Sequence, residues 1–317
     1  MKTKFAIGCL VQWYELDIID GYLISLKNAI DLYDKENVII DIVVTDDTTL
    51  EKPTSDNVLK SCMSSIISKI NNTLDNVNLR IESSLYTIAD YRRQFNDRYC
   101  DSVDVLVWGE TDMLVPGQAF QSLHMLHEAQ SNLTPKYIAT FAICKMWDDT
   151  WKPLEHVQFT DFKHSDSKED WWGLNYDMSI DEMNTFNDSI EQLDVSTISP
   201  HKFNGCGLVI SSEVIKAGVN IPRSVFFVHE DSSFMMMTNK VLGDIPQYHF
   251  RNLLMVHNRK HKDKRNYIVG ETGETVGQKR NSNKWYTVAN RMCEQNVYNN
   301  FNPNYKAFTW RDVWKSI

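Results

Sequence analysis

From Lys4 to Trp108 this chain alternates short apolar, β-branched runs with stretches whose apolar residues recur at helical spacing. Lys4 to Val11 and Val38 to Val44 have the length and composition of buried strands, and Leu79 to Ser83 and Asp104 to Trp108 continue the series. Between them, Asp17 to Tyr33 sets Ile18, Ile19, Tyr22, Leu23, Leu26 and Ile30 on one helical face. Val58 to Leu74 and Thr87 to Tyr99 repeat that period. Two parallel strands need a crossover long enough to hold a helix, so this alternation predicts an α/β fold with a mostly parallel, doubly wound sheet. Ligands of such sheets bind beyond the carboxyl ends of the strands, although the layout alone fixes no activity.

The second half is less regular. A helix is expected from Ala119 to Ala129, a strand from Tyr137 to Met146 and a short helix from Ile180 to Leu193. Order returns with a strand through Gly205 to Ile210, a helix from Ser212 to Ala217 and a methionine-rich helix after Phe226 to Asp231. The stretch Trp147 to Thr197 carries Trp147, Trp151, Trp171 and Trp172 among many acids. The formal charge of −9 hides an asymmetry. Trp147 to Asp194 holds thirteen Asp/Glu against three Lys/Arg, and Arg251 to Arg291 holds ten Lys/Arg against three Asp/Glu. A basic segment of this kind is either a solvated face or an attractor of phosphates.

Several classes are excluded. The six cysteines are scattered and form no CxxC pair, which argues against a zinc ribbon or a disulfide scaffold and fits a reducing compartment. The first residues resemble the basic end of a leader peptide, but Gln12, Glu15 and Asp17 interrupt the apolar stretch, so a first strand is expected. No run of about eighteen apolar residues suggests a membrane span. The phosphate loop GxxxxGK[ST], the GxSxG elbow and the HExxH helix are all absent.

Four groups of residues carry chemistry in chain order. Asp46 and Asp47 end the second strand, where a carboxylate can accept from a base or a ribose. Arg92 and Arg93 lie on a helix, and a guanidinium pairs bidentately with phosphate. Glu110 and Asp112 close the fourth strand; period two points both to one side at its carboxyl end, where they can hold a divalent cation. Glu230 and Asp231 head a helix and offer a general base. Each has a plainer reading, respectively a turn cap, a surface helix, an acidic turn and a dipole-stabilised helix start.

The ordered set resembles the GT-A fold glycosyltransferases, in particular the large family two of mostly inverting enzymes. The matching stretches are Val43 to Thr49 with Asp46 and Asp47, Glu110-Thr111-Asp112 in place of a DxD motif, and His229-Glu230-Asp231 in place of the later ED pair. Phe203 to Ile210, with Gly205 and Gly207, resembles the small-residue strand lining the sugar pocket. Tyr14 and Glu15 fit the family's opening segment, whose proline and asparagine are missing here. The resemblance covers roughly Lys4 to Met237 and implies a nucleoside-diphosphate sugar as donor. It further implies Mn²⁺ or Mg²⁺ on Asp112 and Glu110, with His257 as an added ligand, and Asp231 as base, giving inversion. The chain is accordingly expected to hold a GT-A-like catalytic domain over 1–250 and an extension over 251–317 that completes the site; the insert at 147–197 within the first has no family counterpart, and its acceptor-side role is an inference.

The acceptor is open. The Asn/Asp/Lys-rich composition suggests a phage or an AT-rich bacterial source, and hence action in the (host) cytoplasm. Lys260, Lys262 and Lys264 would then track a phosphate backbone while the four tryptophans stack, which suits a hydroxymethylated base in phage DNA as acceptor. A glycan, a protein or a small molecule is the alternative acceptor. The rival classes are a binding module without turnover and a sugar-phosphate nucleotidyltransferase. The latter needs a glycine- and lysine-rich loop after the first strand, where this chain has Gln12-Trp13-Tyr14-Glu15.

Overall fold

The computed structural model describes residues 2–142, 179–198, 205–257 and 283–317. Strands β1 (Phe5–Gln12), β2 (Val38–Thr45), β3 (Val77–Glu82) and β4 (Val105–Trp108) alternate with helices α1 (Ile19–Tyr33), α2 (Asp56–Thr73) and α3 (Ile88–Tyr99). β1 pairs in parallel with β2 on one side and β4 on the other, with Phe5 opposite both Val38 and Val105. The helices start where the sequence provides caps. Ser55 accepts from the Val58 amide ahead of α2, and Thr87 and Asp90 form a reciprocal capping box on α3.

Four further strands extend the sheet beyond β4. β8 (Leu208–Ser211) runs antiparallel to β4 and to β6 (Ile138–Ala142), β6 runs parallel to β9 (Gln247–Leu254), and β7 (Val195–Ile198) closes the edge antiparallel to β9. The eight strands lie in the order β3-β2-β1-β4-β8-β6-β9-β7. The fold is thus the α/β type expected, with a mostly parallel central sheet and helices on both faces. Alternation along β1 shows both faces covered: Phe5, Ile7, Cys9 and Val11 join the core under α1 and α2. Ala6 and Leu10 join the core shared by α3 and α7 (Glu230–Leu242).

Two elements outside the main sheet matter for function. β5 (Met113–Leu114) pairs antiparallel with β10 (Val256–His257), placing His257 opposite Met113. Helices α4 (Ala119–Gln130), α5 (Ile180–Asp188) and α6 (Ser212–Lys216) complete the body. Helices α8 (Lys284–Asn299) and α9 (Trp310–Ser316) dock on it through Phe226, Phe227, Trp285, Met292 and Val313.

Two sequence expectations change. The helix read as far as Leu193 ends at Asp188, and β7 follows at Val195. β9 starts at Gln247, well before the apolar run at Leu253, because it buries Gln247 and His249 and so lacks a continuous apolar signature. Of the strand expected from Tyr137 to Met146, β6 covers Ile138–Ala142 and residues 143–146 lie outside the described residues. No helix among the described residues is long and apolar enough to cross a membrane.

Candidate active site

β4 stops at Trp108, and the acidic pair lies past it. The Gly109 amide donates to the Gly8 carbonyl at 2.8 Å, and the chain then turns, closed by the Met113 amide on the Glu110 carbonyl at 3.1 Å. Strand alternation therefore does not bring Glu110 and Asp112 together, as period two predicted; the turn does, and β10 supplies the third member. His257 Nε2 stands 3.4 Å from Glu110 Oε2 and 3.2 Å from Asp112 Oδ1. Burial favours the neutral form of Glu110, but the hydrogen bond to His257 and the charge of Arg92 outweigh it, holding the carboxyl down at about 2.

Arg92 ties this cluster to the start of α7. Its guanidinium is 1% exposed and donates from Nη2 to Glu110 Oε1 at 2.7 Å and from Nη1 to Glu230 Oε1 at 2.5 Å. Its carbon lies 4.8 Å from the centre of the Trp108 ring, whose indole is fixed in turn by a 2.9 Å hydrogen bond to Asn96. One buried cation thus spans two carboxylates that belong to separate elements. Glu230 is raised by burial, pulled back by Arg92 and raised again by Asp231, and comes to about 7.

Asp231 sits beside Glu230 in the first turn of α7. Its Oδ2 accepts from the Gly205 amide at 3.1 Å, and its Oδ1 from the Ser232 amide at 2.6 Å. Burial raises its carboxyl above the ordinary aspartate range, against the pull of Arg92. A buried carboxylate with an elevated pKa, oriented by backbone donors, is suited to taking a proton from a hydroxyl. The N-cap before it, His229, adopts left-handed backbone (φ 66°), and its Nε2 lies 3.1 Å from Asn290 Oδ1 on α8. Strained backbone of this kind persists where the surroundings over-determine it.

The loop before β8 closes the site from the other side. A side chain at Gly205 would put its Cβ 1.8 Å from Arg92 Nη1, and one at Gly207 would put it 2.4 Å from Met255 Sδ on a backbone with φ +69°. Both glycines are required by close approach, and Gly207 also by its backbone. Between them is Cys206, 2% exposed. The Sγ of Cys206, a carboxylate oxygen of Glu110 and a ring nitrogen of His257 all lie within 4.8 Å of one another. Sequence reasoning marked the two glycines and passed over the cysteine between them. The available signal was weak: a buried thiol is ordinarily core filling.

Other sequence candidates fall elsewhere. Arg93 is committed to the backbone, donating to the carbonyls of Ile221, Pro222 and Val225 and to Asp90. Asp47 accepts from the Thr49 amide and hydroxyl at 2.8 and 2.6 Å, closing the turn after β2. Asp46 lines a surface recess with Asp56, Lys60, Met63 and Ile81, to which Glu110, Asp112 and His257 do not contribute. Tyr14 and Glu15 are buried just after β1, where Glu15 accepts from the Gln12 amide at 2.9 Å. Trp147, Trp151, Trp171, Trp172, Lys260, Lys262 and Lys264 lie outside the described residues.

The donor set fits a divalent cation. Ligands bound to one ion at about 2.0–2.3 Å stand about 3–4 Å apart, and the two carboxylate–imidazole separations of 3.2 and 3.4 Å fall in that range. The neighbouring Arg92 charge favours the ionised form of Glu110, the form a ligand must have.

No family model matches the chain, and no curated protein matches it. Among solved structures it is similar to TarS 1–349 of S. aureus in complex with UDP-GlcNAc, at 10% identity over 95% of this chain and 76% of that one (TM-score 0.43). It is similar to glucosyl-3-phosphoglycerate synthase of Mycobacterium tuberculosis in complex with Mg²⁺ and UDP, at 10% identity over 83% and 74% (TM-score 0.41). It is also similar to a UDP-glucose pyrophosphorylase complexed with UDP-glucose, at 6% identity over 78% and 90% (TM-score 0.37).

Proposed function

We propose that the chain is a metal-dependent glycosyltransferase, moving a sugar from a nucleoside-diphosphate sugar to an acceptor hydroxyl. One observation carries the reading: the Arg92 guanidinium joins a cation-type cluster of Glu110, Asp112 and His257 to the start of the helix bearing Asp231. Transfer of a sugar needs those two capacities side by side, a place for a diphosphate and a base for a hydroxyl. A divalent cation on Asp112, Glu110 and His257 would supply neutralising charge to the diphosphate leaving group. Asp231 takes the acceptor's proton as its oxygen bonds to the anomeric carbon. The bond from that carbon to the diphosphate oxygen breaks on the opposite face, giving inversion. Arg92 holds both carboxylate arms in place and keeps their charges compensated inside the protein.

For the acceptor we propose a polyanion, with a hydroxymethylated base in phage DNA as its specific form, on the strength of the basic composition of residues 251–291 alone. The deciding experiment incubates the protein with a panel of sugar nucleotides and a divalent cation, and follows donor loss and product mass with and without modified DNA. Turnover of a sugar nucleotide supports the transferase. Tight binding without turnover of any donor, with every acceptor class supplied, would make the protein a binding module. Donor turnover without salt-sensitive DNA affinity would replace DNA with a glycan, protein or small-molecule acceptor.

A further inference from the structure

We propose that Cys206 is a ligand of the site's cation, and that the site takes a thiophilic divalent ion of the zinc and cobalt class in preference to Mg²⁺. The inference rests on reading the Glu110, Asp112 and His257 cluster as a cation site, and adds to it a sulfur donor. The thiol, a Glu110 oxygen and a His257 nitrogen lie within 4.8 Å of one another; an ion with a sulfur bond of about 2.3 Å and nitrogen or oxygen bonds of about 2.0–2.2 Å holds such donors about 3.6 Å apart, so side-chain shifts of no more than about 1 Å close the set around it. With Asp112 beside His257, the donors are one sulfur, one nitrogen and two carboxylate oxygens, a mixed set whose sulfur and imidazole suit zinc or cobalt.

The position of the thiol is fixed by the backbone around it. Gly207 donates its amide to the Trp108 carbonyl at 2.9 Å, on the strand that leads into Glu110. Gly205 donates to Asp231 and packs against Arg92, which itself grips Glu110. The cysteine is therefore held between two residues whose contacts are those of the site. Cys206 is buried whereas Glu110 and His257 keep partial exposure, so the trio has a protein side and a solvent side. Mg²⁺ prefers an all-oxygen shell with several retained waters, and a thiolate adds nothing to its binding. Zinc and cobalt gain from sulfur and from imidazole, and coordination sends the thiol proton to solvent.

The test uses metal binding, independent of turnover. Metal-free wild-type protein is titrated with Co²⁺ under anaerobic conditions, and the near-ultraviolet thiolate-to-cobalt charge-transfer band is recorded. The protein loaded with one equivalent of Zn²⁺ is examined by X-ray absorption. The expected results are a saturable one-equivalent band and a single sulfur scatterer at about 2.3 Å. Cys206→Ser should abolish the band and weaken Zn²⁺ at least about tenfold with Mg²⁺ affinity unchanged, whereas Cys62→Ser should keep the band. Binding with only nitrogen and oxygen scatterers, a band that survives in Cys206→Ser, or no Co²⁺ or Zn²⁺ binding at all overturns the proposal. The wild-type absorption result stands even if the serine variant folds poorly. Sugar-nucleotide turnover supported by Mg²⁺ alone would leave the transferase reading intact while this one fails.

Discussion

Replacing Arg92 with methionine removes one buried cation and leaves two carboxylates that were built around it. The two arms differ in weight. The Glu230 arm is 2.5 Å long with both side chains buried, so losing it strands a charge away from water. The Glu110 arm is 2.7 Å long, but its carboxylate is 29% exposed, so solvent and the neighbouring His257 take over part of the loss. Breaking one partner of a buried pair costs about 3–5 kcal/mol, and methionine regains part of the contact with Trp108 that the guanidinium gave up. The expected loss for Arg92→Met is therefore about 3–4 kcal/mol at pH 8, a large share of the roughly 5–15 kcal/mol that folded proteins hold. Urea denaturation followed by tryptophan fluorescence measures it. The same data on Arg92→Met/Glu230→Met close the argument, because removing both partners of a buried pair is far cheaper than removing one. The double variant should recover at least about half of the loss. A single-variant loss under about 1 kcal/mol, or a double variant no better than the single, would refute the account of Arg92 as a buried bridge.

Four other outcomes are expected. Asp231→Asn should bind donor as the wild type does while turnover falls about a hundredfold to ten-thousandfold, as steady-state kinetics with calorimetric donor binding will show. Asp112→Ala should lose cation-dependent UDP binding with the fold intact by circular dichroism, and unchanged calorimetric affinity for UDP with Mn²⁺ would remove Asp112 from the cation site. Glu230 holds its proton to about pH 7 in the folded chain and about 4.5 in the unfolded one. Over that window the folded state binds more protons, so wild-type stability should decline relative to Glu230→Gln as pH rises from 4.5 to 7 and level off above; a rising difference contradicts it. Gly207→Ala should lower stability by about 1–3 kcal/mol through its clash with Met255, and Met255→Ala should relieve the steric part but not the part owed to positive φ.

The first half of the fold was legible because each of its signals is local. β1 and β2 are largely apolar, β-branched runs, and α1, α2 and α3 show apolar residues at helical spacing. The site was legible in its residue types and less so in its geometry. Glu110, Asp112 and His257 do come together, but through the turn closed at Met113 and the short β5–β10 pairing, and two-residue strands leave no periodicity to read. Arg92 was expected to face a phosphate, and it faces two carboxylates of the protein instead; nothing in the spacing of residues 92 and 230 foretells a contact across 138 positions. Cys206 escaped notice because its meaning depends wholly on neighbours supplied by β10 and by the turn after β4. β9 was hidden because Gln247 and His249 are buried within it, which breaks the apolar run that marks a strand.

The cluster draws its side chains from α3, the turn after β4, the loop before β8, the first turn of α7 and β10, so no local segment contains even half of it. Contacts so far apart in sequence form only after the intervening chain has closed, late in folding. On that ordering, a cation bound as proposed would meet its full donor set in the native state rather than in the transition state before it. Its stabilisation then falls on the unfolding limb: a loaded site prolongs the life of the folded molecule and leaves the folding rate almost untouched. Under the proposed reading, withdrawing the ion with a chelator would act on how long each molecule lasts rather than on how fast new ones form, tying the protein's persistence to the supply of that ion.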